Sequence, residues 1–429
     1  MELPLFAYIA ILLFAALMST RLMKLIKLPN VTGYIITGII MGPFVFGLLF
    51  NNFSYENIKE SAIYTHVESI KWVSTIALGF IAFSIGTSFK LTVLKTVGKR
   101  VLVITCLEAL LASVFVVLAL VVAHFIDETR VPWELVLTLG AIASATAPAA
   151  TLMVIKQYNA KGPLVNTLLP VVALDDAAAL ILFAILFQIA LAIAGGNLSL
   201  YSMLLKPLIE IFLSLLVGLA IGFLISFMNR FFKSRNNRLI WTIFSVFSAV
   251  GVYYLFKQPQ LGGFELSSLL MCMMAGAIYT NACKDSNKTL DVFDRFTAPI
   301  YMMFFVISGA SLDLTIFFNG NGLIVAIIAL VYIVFRVIGK YLGALTGASI
   351  THCEPQVKKY LGFTLIPQAG VAIGLATTAN YLFTANEETK EVGGLIIAIV
   401  LTSTLIYELI GPLVSKYALS KAGEIEKTN

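Results

Sequence analysis

The sequence predicts an all-α polytopic membrane protein of about 13 transmembrane helices, built as two inverted six-helix repeats with two discontinuous crossing helices. Three observations carry that expectation. Hydrophobic residues make up 59% of the 429 and charged residues 12%, with a mean hydropathy of +0.94, against roughly 45–50% apolar and 25% charged in soluble domains. Lys and Arg collect in alternate loops. Two of the long apolar runs are interrupted by proline, glycine and small polar residues at corresponding places in the two halves.

A span needs about 20 mainly apolar residues. The first, 4–23, follows one acidic residue and no basic one, which reads as a span and not as a cleaved signal. The second is 31–50. The third, 72–88, lies between Lys71 and Lys90, and the fourth, 101–126, follows Lys99-Arg100. The fifth, 133–156, is broken at Thr146-Ala147-Pro148, and the sixth, 164–194, carries Asp175-Asp176. The seventh, 206–229, stands alone between the halves. Spans eight to ten, 239–256, 262–281 and 297–312, are set off by Arg238, Lys257, Lys284 and Arg295. The eleventh, 321–350, holds Arg336 and Lys340; the twelfth, 358–383, is broken at Pro367-Gln368-Ala369-Gly370; the thirteenth is 391–415. About a dozen residues follow it, so no soluble domain is expected there.

Sorting the 29 basic residues by loop tests this count, because basic residues collect on the cytoplasmic side. One set of alternate loops holds 21 and the other 6, and a miscounted span would scramble the alternation. The N-terminus is then outside and the C-terminus inside a cell (plasma) membrane crossed many times. The two remaining basic residues, Arg336 and Lys340, lie within a span.

A faint internal repeat adds to this. Ser84–Thr92 resembles Ile307–Thr315, a shift of 223 residues that also carries Ser144–Pro148 onto Pro367–Val371. With one odd span between them, the repeats enter the membrane in opposite orientation. Corresponding interruptions in the two halves mark a transporter binding site.

Other chemistries find little support. Cys106, Cys272, Cys283 and Cys353 occur singly with no CxxC spacing, so neither a resident metal, a cofactor nor a disulfide framework is expected. His66, His124 and His352 fall in loops or at span ends with no nucleophile–base constellation, so no enzyme is expected. The net charge of +6 follows loop placement, and nucleic acid is not an expected partner.

An ionisable side chain costs at least about 2.5–3.5 kcal/mol at the bilayer centre, so each one needs a reason. Five lie deep: Glu108, Asp175, Asp176, Arg336 and Lys340. Adjacent aspartates on a helix project about 100° apart and face different partners. Arg336 and Lys340, four apart, point the same way. Three acidic groups against two basic ones leave one carboxylate in surplus, which in low dielectric must hold a proton or a cation. Such a site is an exchanger in miniature. At the breaks, Ser144, Thr146 and Thr151 bring hydroxyls beside Pro148, and unwound backbone exposes carbonyls suited to a hard monovalent cation.

At these residues the chain resembles the bacterial monovalent cation/proton antiporters of the second cation/proton antiporter family, sodium/proton type. The resemblance covers nearly the whole chain: Pro29-Asn30-Val31-Thr32-Gly33-Tyr34 through Gly38 to Gly42-Pro43, both breaks, the Asp175-Asp176 pair, and Arg336 with Lys340. It implies a homodimer. Residues 1–100 and 239–320 would form the dimerisation scaffold, 101–200 and 321–429 the mobile core, and 201–238 a linker helix. It also implies that Asp176 carries the ion and the proton, that Asp175 partners Lys340, and that Glu108 partners Arg336 as a structural ion pair.

The expected sodium site is Asp176 with Asp175, Thr146 and Ser144, framed by the breaks at Pro148, Pro367, Gln368 and Gly370. Exchange would be electrogenic, with Lys340 giving up the second proton. Potassium/proton exchange is the alternative, since the same oxygens serve both ions and selectivity depends on cavity size. Lithium is a further possible cargo, and a non-transporting membrane sensor would use the same fold.

Overall fold

The computed structural model describes residues 4–47, 61–87, 89, 91–195, 201, 205–232, 234–256, 258, 266–283, 286–311, 322–384 and 389–425. These form helices with no strand among the described residues. In order they are α1 (Leu5–Leu25), α2 (Asn30–Met41), α3 (Ala62–Thr87), α4 (Leu91–Ile126), α5 (Trp133–Ile142), α6 (Pro148–Gln157) and α7 (Pro163–Ile193). After α8 (Lys206–Met228) come α9 (Arg235–Phe256), α10 (Ser268–Ala282), α11 (Ser286–Ala310), α12 (Gly322–Ile350), α13 (Pro355–Thr364), α14 (Gly370–Thr384) and α15 (Lys390–Lys421). A π-helical turn, Pro43–Gly47, follows α2. Taking α5 with α6 and α13 with α14 as interrupted spans, every expected span has its helix. The order of three helices, a long helix, an interrupted pair and a long helix recurs on either side of α8. Among the described residues, eight helices are long and apolar enough to cross a membrane singly.

Several boundaries differ from the expectation. Helices α3, α4 and α11 begin at Ala62, Leu91 and Ser286, ahead of the expected 72, 101 and 297. Hydropathy marks the part of a helix at lipid depth, while backbone hydrogen bonding carries each helix on through its polar first turns. The repeated motif lies partly outside the described residues, at Ser88, Lys90 and from Leu312 to Thr315. The offset between the breaks is also corrected by one. Helix ends at 364 against 142, and starts at 370 against 148, both give 222. Thus Pro148 opens a helix, whereas Pro367 lies inside the unwound segment.

The helices divide into two compact units, Met1–Thr96 with Ile209–Leu312, and Val97–Leu208 with Asp313–Asn429. In the first unit the repeat shows as packing. A Cβ on Gly86 of α3 would lie 2.0 Å from the Met273 carbonyl of α10, and one on Gly309 of α11 would lie 2.3 Å from the Ile35 carbonyl of α2. The third helix of each repeat thus presses backbone to backbone on the second helix of the other, a contact only glycine permits. Tyr301 donates to the Phe80 carbonyl at 3.2 Å, and the Phe293 ring packs edge-on against Phe80 and tilted against Phe83.

The second unit contains both interrupted helices. One apolar cluster, with Leu135, Phe183, Tyr332, Phe383 and Ile399, lies on one side of the breaks. Another, with Val154, Leu168, Ala344, Leu361 and Leu419, lies on the other. Large apolar residues left outside, such as Phe125 and Leu330, suit lipid and not water.

Candidate functional site

The site is built where the two interrupted helices meet. Helix α5 stops at Ile142 and α13 at Thr364, each leaving carbonyls without an intrahelical partner. In hydrocarbon no water reaches them, so the protein supplies the donors. The Ala147 amide donates to the Pro367 carbonyl at 2.8 Å and ties one break to the other. Arg336 of α12 donates from Nε to Ala143 at 3.0 Å, from Nη1 to Ile366 at 2.7 Å and from Nη2 to Ala145 at 2.6 Å. Its guanidinium lies 4.6 Å from the centre of the Tyr407 ring. Gln368 Nε2 donates to Ile142 at 2.9 Å and more weakly to Ala145 at 3.3 Å, while its Oε1 accepts from Tyr332 at 3.1 Å. Lys340, one turn after Arg336, donates to the Ser144 carbonyl at 2.5 Å. Two cations therefore face the negative ends of two helix dipoles, the arrangement those ends favour.

Lys340 also joins two carboxylates. Its Nζ is 3.1 Å from Asp175 Oδ2 and 2.5 Å from Glu108 Oε2, and all three side chains are fully buried. The Glu108 contact is an ion pair.

This overturns the expected Glu108–Arg336 pair. Arg336 spends its donors on backbone carbonyls, and Glu108 goes to Lys340. The reason is the contact between α4 and α12. A Cβ on Gly343 would come within 2.4 Å of Glu108 Cα, so the two backbones touch at the level of Glu108, one turn beyond Lys340. The spacing Gly339, Gly343, Gly347, a stripe of small residues four apart, is the sequence signal that points to this contact.

Asp176 lies beside the charge cluster without a direct contact to it. Among the described residues no hydrogen bond or ion pair reaches it, its Oδ1 is buried without a partner, and the residue is 2% exposed. Thr146 lies in the unwound segment with its hydroxyl buried and likewise unpartnered. Ser144 donates its hydroxyl to the Ala141 carbonyl at 2.7 Å, and its own carbonyl takes Lys340. Thr151 bonds the Thr364 carbonyl at 3.1 Å and Ser415 of α15 at 3.3 Å. Pro148 and Gly370 open α6 and α14.

A sixth buried ionisable group, Glu408 of α15, is 2% exposed. Sequence reasoning missed it, although a lone carboxyl between Leu405-Ile406 and Leu409-Ile410 meets the same test as the other five. On that helix Gly411 packs on Pro367, so a carboxyl-bearing stretch of α15 runs past the second break. Among the described residues no group of His, Cys, Asp and Glu is arranged as a resident metal centre.

Comparison with known proteins is consistent with this architecture. Two structures of the sodium proton antiporter MjNhaP1 from Methanocaldococcus jannaschii share the fold. One, determined at pH 8, has a TM-score of 0.68 and covers 98% of this chain and 99% of the other. The second, an electron-microscopy map, has a TM-score of 0.75 and covers 99% of each. Identity is 17% in both, so the likeness speaks for the fold alone. No curated protein sequence matches. The family described as "Sodium/hydrogen exchanger, transmembrane" matches residues 9–416, and this multi-pass membrane chain belongs to that family.

Proposed function

We propose that the protein exchanges a monovalent cation, sodium in the first place, for protons, with Asp176 as the group that holds one or the other. The observation that carries this reading is the isolation of Asp176: a carboxyl 2% exposed, with no hydrogen bond or ion pair among the described residues, beside an Asp175 already engaged by Lys340. A bare charge there is costly, so the group is neutral with a proton or compensated by a cation, and cannot hold both. Competition for one carboxylate couples the two fluxes. Asp175, the Thr146 hydroxyl and Ser144 complete the proposed cation site, and exchange is electrogenic if a second group titrates with each cycle.

The working assembly is a homodimer in the plasma membrane, with the N-terminus outside and the C-terminus cytoplasmic. The loop charges support that orientation. In this reading 101–200 and 321–429 form the mobile core, 1–100 and 239–320 the scaffold, and 201–238 the linker. The division of the chain into two compact units supports the grouping of core and scaffold, with residues 209–238 of the linker falling in the scaffold unit.

The test is exchange in proteoliposomes containing a pH dye, with sodium, potassium and lithium offered side by side. Asp176→Asn should abolish exchange of every cation while the protein remains inserted and dimeric. Wild-type turnover in that variant would remove Asp176 from the mechanism. Faster exchange of potassium than of sodium would reverse the assigned cargo.

A further inference from the structure

Below the crossing, the end of α15 is fastened three times to the segment that leads from the interrupted helix into the aspartate helix. Ser415 meets Thr151 of α6 at 3.3 Å. Lys416 lies 4.9 Å from the centre of the Tyr158 ring, just past α6. Glu424, beyond the helix and 6% exposed, makes the third and strongest contact. Its Oε1 accepts from the Leu164 amide at 2.6 Å, its Oε2 from the Val165 amide at 2.9 Å, and its own carbonyl from the Lys161 amide at 3.0 Å. Leu419 and Ala422 share an apolar cluster with Val154, Ala160, Leu164 and Val165, which closes the seam against solvent.

We infer that Glu424 is a positioning residue for the exchange: its carboxylate, seated on the first free amides of α7, sets the axial position of the helix that carries Asp175 and Asp176. The inference rests on the function proposed above. Leu164 and Val165 belong to the first turn of α7, whose amides lack intrahelical acceptors, and Gly162 before them offers no side-chain cap. Glu424 supplies from about 260 residues away what a local cap normally supplies.

A charged acceptor at a helix N-terminus forms bonds roughly twice as strong as neutral ones and also meets the positive end of the dipole. Asp175 lies 11 residues beyond Leu164, about 16 Å along the axis. Helix α7 runs continuously from Pro163 to Ile193, so an axial shift at its start is carried on through Pro170 toward the aspartates. Pro170, inside α7 between the two points, removes one helix hydrogen bond. That leaves the lower segment, 163–169, dependent on support from outside the helix.

The role predicts an effect on cation affinity that a merely structural contact would not have. Loss of a structural contact lowers the amount of folded carrier, and so the maximum rate, at unchanged KM. Loss of positioning moves Asp175 and Asp176 against the unwound segment and raises KM. Glu424→Ala should raise the apparent KM for sodium about tenfold, given how steeply binding and reaction depend on sub-ångström placement. Glu424→Gln, which keeps one acceptor oxygen, should raise it about threefold.

The measurement is sodium-dependent exchange by the full chain in proteoliposomes, with KM and maximum rate fitted separately and carrier content determined in each preparation. A KM within about twofold of wild type in Glu424→Ala, whatever its maximum rate, would overturn the inference and leave the proposed function standing. Should that variant not fold, Glu424→Gln is judged by the same criterion. A wild type that exchanges no cation would refute the proposed function itself.

Discussion

Replacing Arg336 by methionine tests whether the crossing is held together by that guanidinium. Methionine retains much of the side chain's length and removes all its donors. Three bonds from a charged donor disappear, to Ala143, Ala145 and Ile366. Ala145 keeps the weaker bond from Gln368, so two carbonyls are left buried without a partner, at about 1–3 kcal/mol each. Relief from burying the guanidinium works in the other direction. That relief is incomplete, because the helix ends the cation faced stay in place. A net loss of about 3 kcal/mol results. At roughly 2–4 °C per kcal/mol for a unit of this size, the apparent melting temperature should fall by about 10 °C. Size-exclusion profiles of detergent-solubilised protein after graded heating provide the measurement. Arg336→Lys, which keeps the charge and fewer bonds, should fall between the two. A shift of less than about 2 °C in Arg336→Met would show that the carbonyls find other donors and that the crossing does not depend on this residue.

Because Glu108 and Arg336 do not pair, the destabilisations of Glu108→Gln and Arg336→Met should add to within about 0.5 kcal/mol; a coupling above about 1 kcal/mol would restore the pair. Gly343→Ala should push α12 away from α4, where a Cβ would stand 2.4 Å from Glu108 Cα. The expected cost is about 1–3 kcal/mol, read by the same heating assay, and unchanged melting would mean the helices part easily. Lys340→Gln should either abolish exchange or make it insensitive to an imposed membrane potential in proteoliposomes. If the variant follows the potential as strongly as wild type does, Lys340 is a fixed counter-ion, a role its placement between Glu108, Asp175 and the Ser144 carbonyl would also suit.

What could be read in the sequence, and what could not, follows from the range of the forces involved. Spans and breaks are local properties of composition, so the thirteen-span count and the breaks at Thr146-Ala147-Pro148 and Pro367-Gln368-Ala369-Gly370 are visible without a structure. Which charge meets which was not. Glu108 and Lys340 are brought together by the close approach of Gly343 to α4, a consequence of small residues at four-residue spacing rather than of charge. Family resemblance suggested Arg336 as the partner instead. Gln368 falls within a break of the sequence, but its role as a donor to Ile142 depends on how the two unwound segments cross. Helix starts at Ala62 and Leu91 escaped a hydropathy reading because backbone bonds continue where apolar side chains stop. Glu408 needed no structure at all, only the same question put to the last span.

The donors that close the crossing also limit what the crossing can offer a passing ion. Carbonyls of residues 142, 143, 144, 145 and 366 already point at Gln368, Arg336 or Lys340. Those of residues 142 and 145 already accept two bonds each, and four of the five lie against a positive charge that repels any cation drawing near. A sodium ion shedding its inner hydration shell at Asp176 would therefore not find the ready ring of backbone oxygens that unwound helices suggest. Its replacement ligands would be carboxylate, the hydroxyl oxygens of Thr146 and Ser144, and whatever water it retains. Discrimination among alkali cations would then depend on the cost of stripping that water in a nearly closed space, and not on the diameter of a carbonyl cage.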